Sequence, residues 1–384
     1  MRFLLTASCS DGLVLPAVPL AWALRAAGHE VLVGAAPNMG ALVTGAGLPF
    51  APYSQPVTIP DVLRHDREGN PLPMPQEEGE MLAHIGRGYG RLAARTLDDT
   101  LALVDGWKPD LVISEPQGLG GPLAAGARDL PWVRLGISMG SPPVLEESAM
   151  TEAKPEIDRL GLPGFPEAAL TLDVCPPSVR RSDSAEATSL RYVPYNGVAV
   201  LPSWLLEPRD RPRVCLTLGT QVPLRGGLPM MAQLMATLTG LGLEVVVAVD
   251  DAVADQLEPR PEGVRAVGRL PLNLVLPHCD LVVHHCGSGT TMTSLTAGVP
   301  QLIIPVIAET WDFARRLAGF GSAREIKPAD TDQATVVEAC TALLDDPAPR
   351  AAAGVLRDEI AAMPSPAQTV PVLEELVRSG GGSR

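Results

Sequence analysis

The run His284-His285-Cys286-Gly287-Ser288-Gly289-Thr290-Thr291 concentrates more potential chemistry than any other stretch of the 384 residues. A short apolar segment ends at two histidines and passes through small residues into a helical pattern. Glycine lets a ligand approach the backbone closely, and the free N–H groups and dipole at a helix start attract an anion. The hydroxyls of Thr290 and Thr291 and an imidazole would add donors. Such a loop fits a diphosphate, although it lacks the lysine of a Walker A loop. A plain tight turn between strand and helix is the alternative. With His278 and Cys279, the run also imitates a metal site. Adjacent histidines on a strand point to opposite faces, however, and the cysteine spacing matches no zinc pattern, so no metal is expected.

A second candidate lies near the start, in the loop expected over Ser8, Ser10, Asp11 and Gly12. Asp11 is the one member able to take a proton, and Ser10 stands beside it. Carboxylates are weak bases, yet one can orient a phenol or stabilise developing charge. An aspartate in a glycine-containing turn equally serves to cap its own backbone, and both roles stay open. His29, after a glycine that closes a helix, reads as a C-terminal cap. His65 and His84 lie in or beside a polar segment and suit either the surface or an acceptor pocket. Glu77, Glu78 and Glu80 read as the acidic first turn of a helix.

Loops of this kind need rigid elements behind them. Short apolar runs bounded by turn residues suit strands of a parallel sheet buried on both faces. They occur at Arg2–Ala7, Glu30–Ala35, Leu111–Ser114, Trp132–Gly136, Val214–Leu218, Glu244–Val249, Leu281–His284 and Gln301–Ile304. Helical patterns fit at Pro16–Ala27, Glu77–Val104, Leu119–Asp129, Leu228–Leu241, Thr290–Ala297, Asp312–Ala318 and Ala334–Leu344. Repeated β-α-β predicts α/β, doubly wound sheets. The rhythm breaks across the proline-rich stretch from about 140 to 212. The expected organisation is a first domain over 1–205 with a linker near 190–211, and a second domain over 212–365. A tail over 366–384 would return toward the first domain and then fray.

Composition sets the outer bounds. A length of 384 residues suits two domains, and 46% hydrophobic residues supply large cores. The formal charge of −14 argues against a nucleic-acid or anionic-membrane partner, so a phosphate would have to be held by local dipoles. The first residues read as a buried strand rather than a signal peptide, and no apolar run is long enough to span a membrane. Six scattered cysteines in apolar runs fit reduced thiols in a cytoplasmic protein.

Several motifs together carry a family resemblance. His285-Cys286-Gly287, Gly289-Thr290, Gly298-Val299-Pro300 and Ile304-Pro305 resemble the donor signature of the family 1 nucleotide-sugar glycosyltransferases. So do Val267-Gly268-Arg269-Leu270-Pro271, Leu276-Pro277-His278-Cys279 and Leu216-Thr217-Leu218-Gly219-Thr220. Pro16–Ala21 and Ala27-Gly28-His29-Glu30-Val31 fit as well, and Tyr192–Gly197 is similar to the linker of actinobacterial enzymes that glycosylate polyketides. The resemblance spans nearly the whole chain. It implies the GT-B fold: two Rossmann-like domains with a cleft between them, the first for an acceptor and the second for a nucleotide-sugar donor.

The resemblance also implies roles. His285, with the amides around Gly287, Ser288, Gly289 and Thr290, would hold the diphosphate, and Thr220 would add a hydroxyl. Leu270 would present main-chain groups to the pyrimidine, and Arg269 would stack on it. Glu309 and Thr310 stand where the family has an acidic residue and glutamine that bind sugar hydroxyls; the shorter threonine suits a deoxysugar. The implied reaction is transfer of a deoxysugar or other sugar from a dTDP- or UDP-sugar to a small natural-product aglycone, with the aromatic polyketide of an antibiotic pathway the class the resemblance implies, through oxygen or carbon, without a cofactor. One departure stands out: the family's histidine base falls on Leu13. Asp11 could substitute, a phenolate acceptor could need no base, or a partner protein could supply the deficit. Leu13, Met81 and His84 are the acceptor-pocket candidates. The rival functions are a GT-B epimerase and a catalytically impaired helper. A homodimer or an auxiliary protein stays open as partner.

Overall fold

Runs of valine, leucine and isoleucine that are buried on both faces call for helices above and below a parallel sheet. The computed structural model is built in this way. It describes residues 1–183, 186–219, 222–223 and 226–380. The first sheet comprises β1 (Arg2–Thr6), β2 (Glu30–Ala35), β3 (Phe50–Pro52), β4 (Leu111–Ser114), β5 (Trp132–Leu135), β6 (Leu170–Asp173) and β7 (Thr188–Ser189). Their spatial order is β3-β2-β1-β4-β5-β6-β7. The second comprises β8 (Arg213–Thr217), β9 (Glu244–Ala248), β10 (Val264–Gly268), β11 (Leu281–His284), β12 (Gln301–Ile303) and β13 (Ala323–Glu325), in the order β10-β9-β8-β11-β12-β13. Neighbouring strands pair in parallel in both, so each sheet gathers the loops after its strands at one end.

Strand alternation divides the second core cleanly. Val214 and Leu216 face Met231, Leu234 and Leu238 on one side, whereas Cys215 faces Val275 and Leu276 on the other. In the first sheet Leu4, Val112 and Trp132 pack with Val104 and Ala124.

The chain divides into two compact units. One is Met1–Cys175, Arg181–Gly197 and the chain from Met363; the other is Pro176–Arg180 and Val198–Ala362. The helix Pro366–Gly380 thus belongs with the first unit, where it packs on the helix Val18–Ala26. His29, expected as a helix cap, serves this docking: its Nε2 lies 2.9 Å from Glu374 Oε1, and its ring meets Phe3 edge-on.

Two expectations need correction. The stretch from 140 to 212 is not a plain break in rhythm. It forms the helices Pro143–Glu152 and Lys154–Arg159 and adds β6 and β7 to the first sheet. Prolines at the first helical positions caused the misreading; there the missing N–H removes no helical bond. Asp11, expected in a loop, opens a helical turn (Asp11–Val14) that continues through the 3₁₀ turn Leu15–Ala17 into Val18–Ala26. Among the described residues, no helix is long and apolar enough to cross a membrane.

Candidate functional site

In the second unit β11 is central, with His284 in register with Thr217 of β8 and Ile303 of β12. Strand order reverses between β8 and β11, and loops beyond such a reversal are where open α/β sheets form ligand crevices. His284 is wholly buried. Its Nε2 meets Gln301 Oε1 at 2.9 Å while its Nδ1 accepts from the Cys286 amide, a pattern that requires a neutral ring. Burial, helped by His285, accordingly drives its pKa down to about 3.

His285 points the other way, clamped between two glycines. A Cβ on Gly219 would lie 2.5 Å from its Cε1, and one on Gly287 would lie 2.6 Å from its Nε2. Gly219 also has φ +68°, a conformation that L side chains rarely adopt. Burial lowers the His285 pKa to about 4, against a hydrogen bond with the Thr217 backbone, so the ring is neutral at physiological pH. Its buried Nδ1 has no hydrogen-bond partner among the described residues.

Cys286 turns the chain with φ +66°, unusual for a residue other than glycine. The helix Ser288–Ala297 then begins without a side-chain cap or an acidic first turn. Its first amide bond runs from Thr291 to the Gly287 carbonyl. The amides of Ser288, Gly289 and Thr290 therefore lie outside the helical ladder and lead toward the positive end of the dipole. The amides are the free donors where an anion would sit, and the single N–H of the neutral ring reaches it only by leaving the Thr217 carbonyl.

The other second-unit candidates flank this loop. Gly268, with φ +145°, ends β10; the Arg269 amide donates to Asp251 Oδ1, and the Arg269 side chain is exposed. The Leu270 side chain packs beside Val246 and Val275, leaving its backbone as the part able to face a base. Thr220 lies outside the described residues. The helix expected from 312 starts at Ala308, so Glu309 and Thr310 occupy its first turn. The Thr310 hydroxyl is engaged with the Ile307 carbonyl at 2.8 Å.

In the first unit Asp11 and Ser10 are half-buried at the start of the helical run after β1, and Leu13 lies one turn on. His84 and Met81 lie on the helix Glu78–Trp107. His84 is buried with its Nε2 on the Leu63 carbonyl at 2.7 Å, and burial lowers its pKa. It borders a cavity of about 430 Å³ shared with Arg67, Arg87 and Arg91, which neither Leu13 nor Met81 lines.

Models of the N- and C-terminal domains of the erythromycin biosynthesis protein CIII-like family match residues 22–219 and 232–376. The chain belongs to that family. It is 42% identical to the L-demethylnoviosyl transferase of Streptomyces niveus over 96% of each chain. The glycosyltransferase SsfS6 of Streptomyces sp. SF2575, solved with thymidine diphosphate, is 49% identical; the TM-score is 0.89 over 98% of this chain and 99% of that one. The spinosyn rhamnosyltransferase SpnG, solved with spinosyn aglycone, gives 32% identity and a TM-score of 0.86 over 97% and 100%. The protein is a GT-B glycosyltransferase, as its motifs implied, and the epimerase alternative falls away.

Sequence reasoning missed one buried group of this glycosyltransferase. Glu115, 3% exposed, follows β4 directly and accepts from the Ser8 amide at 3.0 Å, the Ser8 hydroxyl and the Gln117 amide at 2.7 Å. The signal was a charged residue immediately after the short strand Leu-Val-Ile-Ser, which is buried throughout.

Glu309 gives a test by pH. Burial raises its carboxyl from the ordinary 4.5 to about 7, so it is an O–H donor at pH 6 and an acceptor-only carboxylate at pH 8. Donor KM should change several-fold across that interval in the wild type and stay flat in Glu309→Gln. Because the folded pKa is raised, the associated stability is complete below about 4.5 and disappears as pH rises through about 7. Melting temperature should accordingly fall less across this window in the variant. A flat wild-type KM profile would remove Glu309 from sugar recognition.

Proposed function

We propose that this glycosyltransferase moves a deoxysugar from a thymidine-diphosphate donor to a polyketide-type aglycone with a phenolic or enolic edge. The observation that carries the reading is the neutral, amide-rich loop His285–Thr290, together with thymidine diphosphate bound by the 49%-identical relative. In the proposed reaction the acceptor oxygen, or a ring carbon activated by a phenolate, attacks the anomeric carbon. The anomeric C–O bond breaks, and its electron pair leaves with the nucleoside diphosphate. His285 and the amides of Ser288, Gly289 and Thr290 stabilise that leaving charge, so no metal is needed. Glu309 binds sugar hydroxyls, and the short Thr310 accommodates a ring position that lacks one. Asp11 receives or orients the acceptor proton, with Ser10 beside it. Arg269 and the Leu270 backbone hold the base.

Names of curated relatives support the acceptor class: one transfers rhodosamine to aklavinone, and another is the elloramycin glycosyltransferase. Six free, buried cysteines fit a reducing cytoplasm. The test is intact-mass analysis after mixing the protein with a dTDP-deoxysugar and a panel of aromatic polyketides, with and without chelator. The expected product is the aglycone plus one sugar at equal yield in both arms. No product from the panel would sink the reading, and product only without chelator would sink its metal-free form. Product formed only with a second protein present would establish the partner-dependent alternative that Leu13 raises.

A further inference from the structure

The turn between β1 and its helix carries Asp11, yet β1 ends at Thr6 and the intervening residues have no secondary structure of their own. Three neighbouring segments hold them. From beyond β2, Asn38 Nδ2 donates to the Cys9 carbonyl at 3.4 Å. From beyond β3, the Tyr53 hydroxyl donates to the Ala7 carbonyl. From β4, Glu115 takes both the amide and the hydroxyl of Ser8 on one carboxylate oxygen and holds the Gln117 amide on the other. Ser8 is wholly buried and Glu115 nearly so; hence neither reaches solvent or a substrate directly. β1 and β4 are the adjacent strands at which the order of the first sheet reverses.

A buried carboxylate is costly unless its lone pairs are satisfied, and charge-assisted bonds to backbone amides are the strong, directional kind. Glu115 spends these bonds fixing the residue three positions before Asp11 and the turn after its own strand. A shift there would move the helical start that bears Ser10 and Asp11. Misplacement by about 1 Å is enough to cost roughly a hundredfold in rate.

We propose that Glu115 is a positioning residue for sugar transfer: through Ser8 it sets the place of the Ser10–Asp11 turn relative to the acceptor. The proposal rests on the assignment of the acceptor reaction to the first unit. The donor residues His285, Ser288, Gly289 and Thr290 belong to the second unit, and a positioning role therefore makes a split prediction.

Glu115→Gln keeps the shape but turns an N–H₂ toward the Ser8 or Gln117 amide. It should lower kcat about ten- to hundredfold, with donor KM and thymidine diphosphate affinity within about twofold of wild type, since a uniform loss of binding is not involved. Ser8→Ala removes one bond and keeps the amide contact; kcat should fall roughly three- to tenfold. Adding Ser8→Ala to Glu115→Gln should cost less than the two effects multiplied, because the residues act as a unit. Full kcat in Glu115→Gln overturns the proposal, as does a parallel loss of kcat, donor affinity and melting temperature, which marks a general structural role. If Glu115→Gln does not fold, Ser8→Ala decides alone: unchanged kcat overturns the proposal. Failure of the wild type to transfer any sugar sinks the proposed function instead, so the two failures are distinct.

Discussion

Asp11→Asn should reduce transfer to an alcohol acceptor by about 10²–10⁴-fold if Asp11 carries the proton transfer, the range typical of general acid–base catalysis. On a phenolic acceptor that ionises without help, the same change should cost less than about tenfold. The two outcomes differ by about 1.4–4 kcal/mol in barrier. Structure sharpens the test. Asp11 sits in the first turn of a helical run, half-buried, with Ser10 as the N-cap residue but no side-chain cap bond. Asparagine retains size and helix-start compatibility, so a loss reports the charge rather than the fold. Leu13→His restores the imidazole of the family's pattern, and it should help alcohol acceptors more than phenols. Rates for both acceptor types in both variants decide it. Equal, small effects throughout would remove Asp11 from the chemistry.

His285→Ala should weaken thymidine diphosphate binding by about 1.5–3 kcal/mol, the usual worth of a hydrogen bond to a charged group. That is roughly ten- to hundredfold in Kd. The histidine is neutral, with its pKa lowered to about 4, so the ligand brings the charge and the ring brings its single N–H, released from the Thr217 carbonyl. Two consequences can be read by calorimetry. The affinity lost should be the same at pH 6 and pH 8, because the ring titrates in neither range. Lys in place of His285 should not restore binding, since the glycine clamp fits a flat ring and burial disfavours an ammonium. An unchanged Kd in His285→Ala would reject the diphosphate role outright.

Much of this architecture is written locally. Glu30–Ala35, Leu111–Ser114 and Leu281–His284 read with the same limits in sequence and structure, because each is an apolar run closed by turn or polar residues. The short β6 and β7 escaped notice: strands of four and two residues, partly exposed, carry too little periodicity to register. The helical turn at Asp11 escaped as well, since no side-chain cap marks it and Gly12 weakens the pattern.

The candidate site divides along the same line. The loop proposed for the diphosphate is legible because its residues are consecutive. The bond between Ser8 and Glu115 joins residues 107 apart, and only the pairing of β1 with β4 brings them together. The bond of His84 to the Leu63 carbonyl is likewise a tertiary fact that no local pattern announces.

The two glycines around His285 bear on how such an enzyme can be changed. Neither can gain a methyl group without evicting the imidazole, and so Gly219, distant in the chain, is bound to vary together with the neighbours His285 and Gly287 or not at all. Glu309 and Thr310 sit instead in the first turn of a helix, where Thr310 bonds the Ile307 carbonyl of the same helix start. With the proposed roles, mutational drift, in nature or in a library, should find new sugars readily while the nucleotide handle stays the same. On that reading, diversification by donor sugar, with the activating group held constant, is the direction in which this scaffold would yield.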